Sequence, residues 1–250
     1  MLKTRHMPGK STQRGVSLVE LMVGMVVGLV IVAAAGTMHV VTTRSGGETL
    51  ASAQLNTTLR NVMGVIVDEV RRAGYSRDGG RNSPFMNQTG GAVSDLSVNA
   101  AGTCVEFSYD TDANGTLADT EYAGFRVVGG VVQTRNGGAG AIADCANGSW
   151  ENLTDVGSVQ IVNHSNGSNY FILSFQCMNA STGASDANRC NPAIAGSVAA
   201  AAAAGGTTVD LIETRTVRVN MGARLVNDNA MRIELAQRVL VRNHRVISVG

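Results

Sequence analysis

Twelve residues, DTDANGTLADTE at 110–121, carry oxygen-bearing side chains at the intervals of a calcium loop. Asp110, Asp112 and Asn114 offer side-chain oxygens, and Gly115 permits the sharp turn. Thr116 offers its backbone carbonyl and Glu121 a bidentate carboxylate. The flanking runs read as strands, however, not as the helices of an EF-hand. Asp, Asn and Gly also suit a plain acidic hairpin turn. The stretch therefore carries two readings, a Ca²⁺ site and a turn.

The cysteines point to stapling rather than chemistry. Cys104, Cys145, Cys177 and Cys190 contain no CxxC pair, so zinc and thioredoxin-like readings have little support. An even count in an oxidising compartment favours disulfides, and four cysteines allow three pairings. Cys104–Cys145 with Cys177–Cys190 is the favoured one, because the second bridge closes a Gly/Ser/Asn-rich loop of 12 intervening residues. Such a loop gains from a covalent clamp. His6, His39, His164 and His244 are scattered, and there is no hydrolase elbow, phosphate loop or paired-acid scaffold. No catalytic activity is expected. Residues 215–245 hold seven Arg against Asp228 and Glu234. A basic strip can track a nucleic-acid backbone, but such arginines more often decorate the solvent face of strands or pair with neighbouring subunits. A nucleic-acid partner is not expected.

These groups need elements to hold them. From Leu21 to Val41 no residue is charged, and that stretch of 21 residues can cross a bilayer as a helix. Glu20 sits at its head, where burying a carboxylate is costly unless it has a partner. The first 15 residues contain Lys3, Arg5, Lys10 and Arg14 and no acid, whereas the rest carries 16 Arg against 19 acidic residues. That asymmetry puts the N-terminus in the cytoplasm and the remainder outside it. An ordinary secretory signal has a shorter apolar core, and "AAAG" at 33–36 as its cleavage site would leave Glu20 unexplained. After a weak break at Ser45-Gly46-Gly47, Leu55, Leu59, Val62, Ile66 and Val70 form one apolar stripe of an amphipathic helix. Gly74 suits its C-cap. Beyond residue 95, short β-type runs fall at 104–109, 123–135, 158–163, 169–177, 214–226 and 234–243. Gly, Asn and Asp clusters separate them, and Gly129-Gly130 reads as a hairpin turn. The low-complexity stretch 193–206 reads as a surface loop.

The N-terminal residues Arg14-Gly15-Val16-Ser17-Leu18-Val19-Glu20 resemble a class III prepilin signal, the mark of type IV pilins and type II secretion pseudopilins. They combine a basic leader, Gly at the cut, an apolar first mature residue and Glu at the fifth; Val stands where Phe is usual. "DEVRRAGY" (68–75), the β-rich remainder and "VLVRNHR" (239–245) are similar to the PilW family of minor pilins, which is related to the J-type pseudopilins. The resemblance implies cleavage after Gly15 and N-methylation of Val16 by the prepilin peptidase. It also implies that Glu20 neutralises the freed α-amino group of a neighbouring subunit, a pairing favoured over two separate buried charges.

The expected fold is α+β and pilin-like, a long N-terminal helix packed on an antiparallel β-sheet domain with long loops. Its parts are a leader at 1–15, a transmembrane and polymerisation helix at 16–43, an amphipathic continuation at 44–74 and a β-rich domain at 75–250. The implied function is structural: priming pilus assembly or sitting at the pilus tip, in support of pilus biogenesis and twitching motility. Implied partners are the prepilin peptidase, other minor pilins, the major pilin and the inner-membrane assembly platform. The implied location is a single inner-membrane pass with a periplasmic domain, followed by the extracellular pilus. No cofactor is required, with Ca²⁺ as an optional ligand. Two rivals remain open, a J-type pseudopilin of a type II secretion system and a membrane-tethered, Ca²⁺-dependent adhesin or ligand-binding module.

Overall fold

In this computed structural model the described residues are 15–79, 83–86, 94–139, 142, 145–186, 209–226, 228 and 231–249. The leader residues before Gly15, Cys190 and the 193–206 loop lie outside them. Among these residues one α-helix, α1 (Leu18–Val70), is followed by ten strands. The chain divides into two compact units, with the boundary between Ala51 and Ser52.

α1 runs without interruption through Ser45, Gly46 and Gly47, where the sequence suggested a break. Each glycine costs a helix about 1 kcal/mol relative to Ala. Extending a helix already nucleated on both sides outweighs that cost, and Thr49 Oγ1 donates to the Ser45 carbonyl across the stretch at 2.9 Å. In the second unit the expected stripe is buried, with Leu55, Leu59, Ile66 and Val70 at 0% exposure. The helix ends as its sequence implies. Arg72, Ala73 and Tyr75 donate to carbonyls three residues back, and Gly74 takes φ +71°. A side chain at Gly74 would meet Met86 and Arg215 at about 3 Å, so only glycine fits there.

The strands form two antiparallel sheets. The first runs β1 (Ser97–Val98), β2 (Cys104–Ser108), β3 (Tyr122–Val128), β4 (Val131–Asn136) and β5 (Trp150–Asn152), each paired with the next. The β3–β4 hairpin turns at Gly129 and Gly130, both at positive φ (+60° and +81°), as the two-residue loop required. The second is built on one long strand, β8 (Val209–Leu225). β6 (Val159–Val162), β7 (Phe171–Asn179), β9 (Arg232–Leu240) and β10 (Arg245–Val249) all pair with it. The odd-numbered residues of β8 from Val217 to Ala223 are fully buried and join the α1 stripe, Phe107, Phe125 and Phe171 in one core. The fold is thus a long helix followed by antiparallel sheets, as expected.

Candidate functional site

The described residues of the first unit are almost wholly helical. Every residue from Gly15 to Leu50 is exposed, including Val16 at 70% and Leu21 at 64%. α1 is long and apolar enough to cross a membrane. An apolar surface of this size is not left to water by a stable protein. Glu20 stands in the first turn of α1, where the helix dipole favours a carboxylate. Gly15 and Val16 lie just before the helix starts, so the bond between them is outside regular structure.

In the second unit the acidic loop lies between β2 and β3. The carboxylates of Asp110, Asp112 and Glu121 offer oxygens within 4.8 Å of one another. The loop also uses those oxygens to hold itself. Asp110 accepts the backbone N–H groups of Arg77 (3.0 Å), Asn114 (3.1 Å) and Gly115 (3.0 Å). Burial pushes its carboxyl up, but the N–H groups of Arg77, Gly115, Asn114 and Ala113 outweigh that and hold it below the usual Asp range. Glu121 accepts from Thr111 N at 2.8 Å and Ala118 N at 2.9 Å. Asp112 takes Asn114 N at 3.1 Å, and Asn114 Oδ1 takes Thr116 N at 2.6 Å. Gly115 sits at φ +76°, and a side chain there would run into the Asp78 carboxylate. Of the five residues expected from the sequence, the three carboxylates Asp110, Asp112 and Glu121 come together, while Asn114 Oδ1 is turned to Thr116 N. A carboxylate has about four acceptor sites; the backbone N–H groups fill those of Asp110, while Asp112 and Glu121 keep free ones, and an all-oxygen donor set suits Ca²⁺.

Two buried ionic groups brace this domain. Arg135 pairs with Glu106 at 2.8 Å with both side chains at 2% exposure or less. It also donates to the Gly137 and Gly138 carbonyls, and Glu106 accepts Cys145 N at 3.0 Å. That ties the 137–148 loop to the sheet beside the Cys104–Cys145 disulfide, whose Cα atoms are 6.4 Å apart. Cys177 is also disulfide-bonded, and its expected partner Cys190 lies outside the described residues.

The second group corrects the reading of the C-terminal arginines as surface decoration. Arg215 is fully buried against Asp95, and Arg245 bonds Glu213 at 3.0 Å. Burial, and then the neighbouring Arg245, lower Arg215 to about 10, so it stays charged at neutral pH. Burial likewise raises the Glu213 carboxyl, against the pull of Arg245. Nothing in the spacing marked these residues, because their strand alternates inward and outward like any other. The only cue was that Glu213 and Arg215 fall on the same parity as Val217 and Val219.

A cleft of about 380 Å³ opens beside Tyr109, Tyr122 and Phe125. Its lining includes no histidine or cysteine, so it offers no nucleophile–imidazole pair.

Comparison with known families follows the same division of the chain. The prokaryotic N-terminal methylation motif matches residues 10–36, and the prepilin peptidase-dependent protein B family matches residues 48–241. No curated protein and no solved structure matches the chain. A processing signal, an exposed apolar helix and an antiparallel β domain define a type IV pilin-like minor pilin. With more than half of its length matched, the chain belongs to the prepilin peptidase-dependent protein B family. Both matches are to pilin-type structural families rather than enzymes. Membership places the chain among substrates of the prepilin peptidase, anchored in a membrane before assembly into a pilus.

Proposed function

We propose that this chain is a minor pilin of PilW type that primes pilus assembly or sits at the pilus tip, and so supports twitching motility. The observation that carries the reading is the pairing of a methylation-motif helix, exposed from its start to Leu50, with a β domain matched to a prepilin-peptidase-dependent family. The peptidase cuts after Gly15 and methylates Val16. Glu20 then meets the new α-amino group of a neighbouring subunit inside an apolar bundle, where two unpaired charges would each cost several kcal/mol (~3–5 for a broken pair). The β domain stays on the periplasmic side until the filament extends. The test is a deletion strain complemented with wild type or Glu20→Ala. The variant should be membrane-inserted and processed but should restore few surface pili and little twitching. Full restoration by Glu20→Ala contradicts the pairing role.

A second reading concerns the 110–121 loop. Asp110, Asp112, Asn114, Thr116 and Glu121 are assigned to a Ca²⁺ ion that stiffens the β2–β3 connection. It is favoured by the convergence of the three carboxylates the motif requires.

A further inference from the structure

β8 and β9 pair antiparallel from Thr216↔Leu240 to Arg224↔Arg232, which sets Arg218 directly opposite Arg238. Their strand neighbours Val217, Val219 and Val239 are fully buried. By strand alternation both arginines therefore point away from the core, and both are exposed. Like charges directly opposite one another destabilise a sheet.

The other opposed pair on this ladder shows how such a clash is normally relieved. Arg224 donates to Gln160 Oε1 at 2.9 Å, and Arg232 is bound by Glu234 at 2.5 Å and by the Asn163 carbonyl. The Arg218 and Arg238 guanidiniums have no hydrogen bond or ion pair among the described residues. The acid on the same strand, Glu234, is already held by Ser165, His164 and Arg232.

The surroundings are mixed. Ile172 lies opposite Arg218 on β7, Leu240 on β9 is 56% exposed, and Thr216 and Ser174 lie beside them. Two uncompensated guanidiniums in a fixed pair match one carboxylate, which they can grip with several charge-assisted bonds. The exposed Leu240 and half-buried Ile172 beside them suit a protein surface. A nucleic acid would need a longer basic track, but Arg215, Arg224, Arg232 and Arg245 all have partners within the chain.

We infer that the outer face of the β7–β8–β9 sheet docks an acidic surface of another pilin-like subunit, with a carboxylate bridging Arg218 and Arg238. This rests on the assembly role proposed above and names the contact that serves it.

The experiment uses the full chain in a piliated strain, with a photoreactive p-benzoylphenylalanine at the exposed Ser174, whose strand partner is Thr216. Irradiation should give an adduct to a different pilin-like subunit, on a peptide containing Asp or Glu. Arg218→Glu with Arg238→Glu should reduce the adduct about tenfold or more, since like-charge juxtaposition costs several kcal/mol. A matching Glu→Arg or Asp→Arg change in the mapped partner peptide should restore it. Arg218→Gln with Arg238→Gln relieves the internal repulsion, so it guards against a folding artefact and should also lose the adduct. An adduct insensitive to these changes, one to nucleic acid, or one between two copies of this chain overturns the inference. The mature N-terminus and filament incorporation are read in the same samples. A processed, incorporated chain with no adduct refutes this contact alone, whereas an unprocessed chain refutes the assembly reading as well.

Discussion

Arg215 and Asp95 form an ion pair with neither side chain exposed to solvent, and the same guanidinium donates to the Asn243 carbonyl at 2.7 Å. Asn243 in turn donates from Nδ2 to the Arg72 and Ala73 carbonyls at 3.2 and 3.1 Å. Those carbonyls lie in the turn that closes α1, and that of Arg72 also accepts the Tyr75 N–H at 2.9 Å. The pair therefore locks the C-terminal strands onto the end of the helix, and it does so within the second unit.

Breaking that pair should be costly. Arg215→Met removes the nearest cation of the buried Asp95, which keeps Arg245 at 3.9 Å and the Leu96 N–H, so the expected loss is about 3 kcal/mol, the low end for a broken buried pair. Asp95→Asn should also destabilise, and the double variant should cost less than the sum of the two. Urea denaturation of the full chain in detergent micelles, followed by the fluorescence of the single tryptophan, Trp150, checks this. Additive losses would mean that the two residues act separately.

The acidic loop should give the domain an acid-side weakness. The carboxyl of Asp110 is held below its ordinary value in the folded state. Its stabilisation is therefore complete above the unfolded value, about 3.8, and is lost as pH falls through the lower folded one. Asp110→Asn should be less stable than wild type at pH 7, and the gap should close as pH falls below about 4. A gap that stays constant from pH 7 to pH 3 would contradict the bonding pattern.

Calcium should act on the same loop by a separate route. A site that binds only the folded state adds about 2.7 kcal/mol at 100 times its dissociation constant, and well under 1 kcal/mol near equality. The full chain should therefore melt higher in millimolar Ca²⁺ than in chelator, and more so than in Mg²⁺. Asp112→Ala should abolish the difference without unfolding the loop, because Asp110 and Glu121 supply the buried bonds. A wild-type chain whose melting ignores Ca²⁺ leaves the stretch as a self-capped turn.

The sequence made the helix and the hairpins legible because both rest on local pattern. The Leu55–Val70 stripe, the Gly74 stop and the Gly129-Gly130 turn each follow from residue type and spacing alone. The short edge strand at Trp150–Asn152 and the terminal strand Arg245–Val249 were not legible. Both are defined by the strand they pair with rather than by alternation of their own. The continuation of α1 beyond residue 44 was legible too, and only the weak break at Ser45-Gly46-Gly47 is absent, since the helix on either side imposes what local propensity argues against. The Asp95–Arg215 pair joins residues 120 apart in the chain, beyond the reach of any local pattern. By contrast, Gly15, Val16, Glu20 and the 110–121 loop stood out early because their spacing is their signal.

The account as a whole depends on how the N-terminus matures. Intact-mass and N-terminal peptide analysis of the protein purified from membranes tests it most directly. The account predicts a chain that begins at N-methylated Val16, and a Gly15→Leu variant that remains unprocessed because the peptidase needs a small residue there. A mature chain beginning after Gly36, or an unmethylated Val16 in a wild-type strain with an active peptidase, would contradict it.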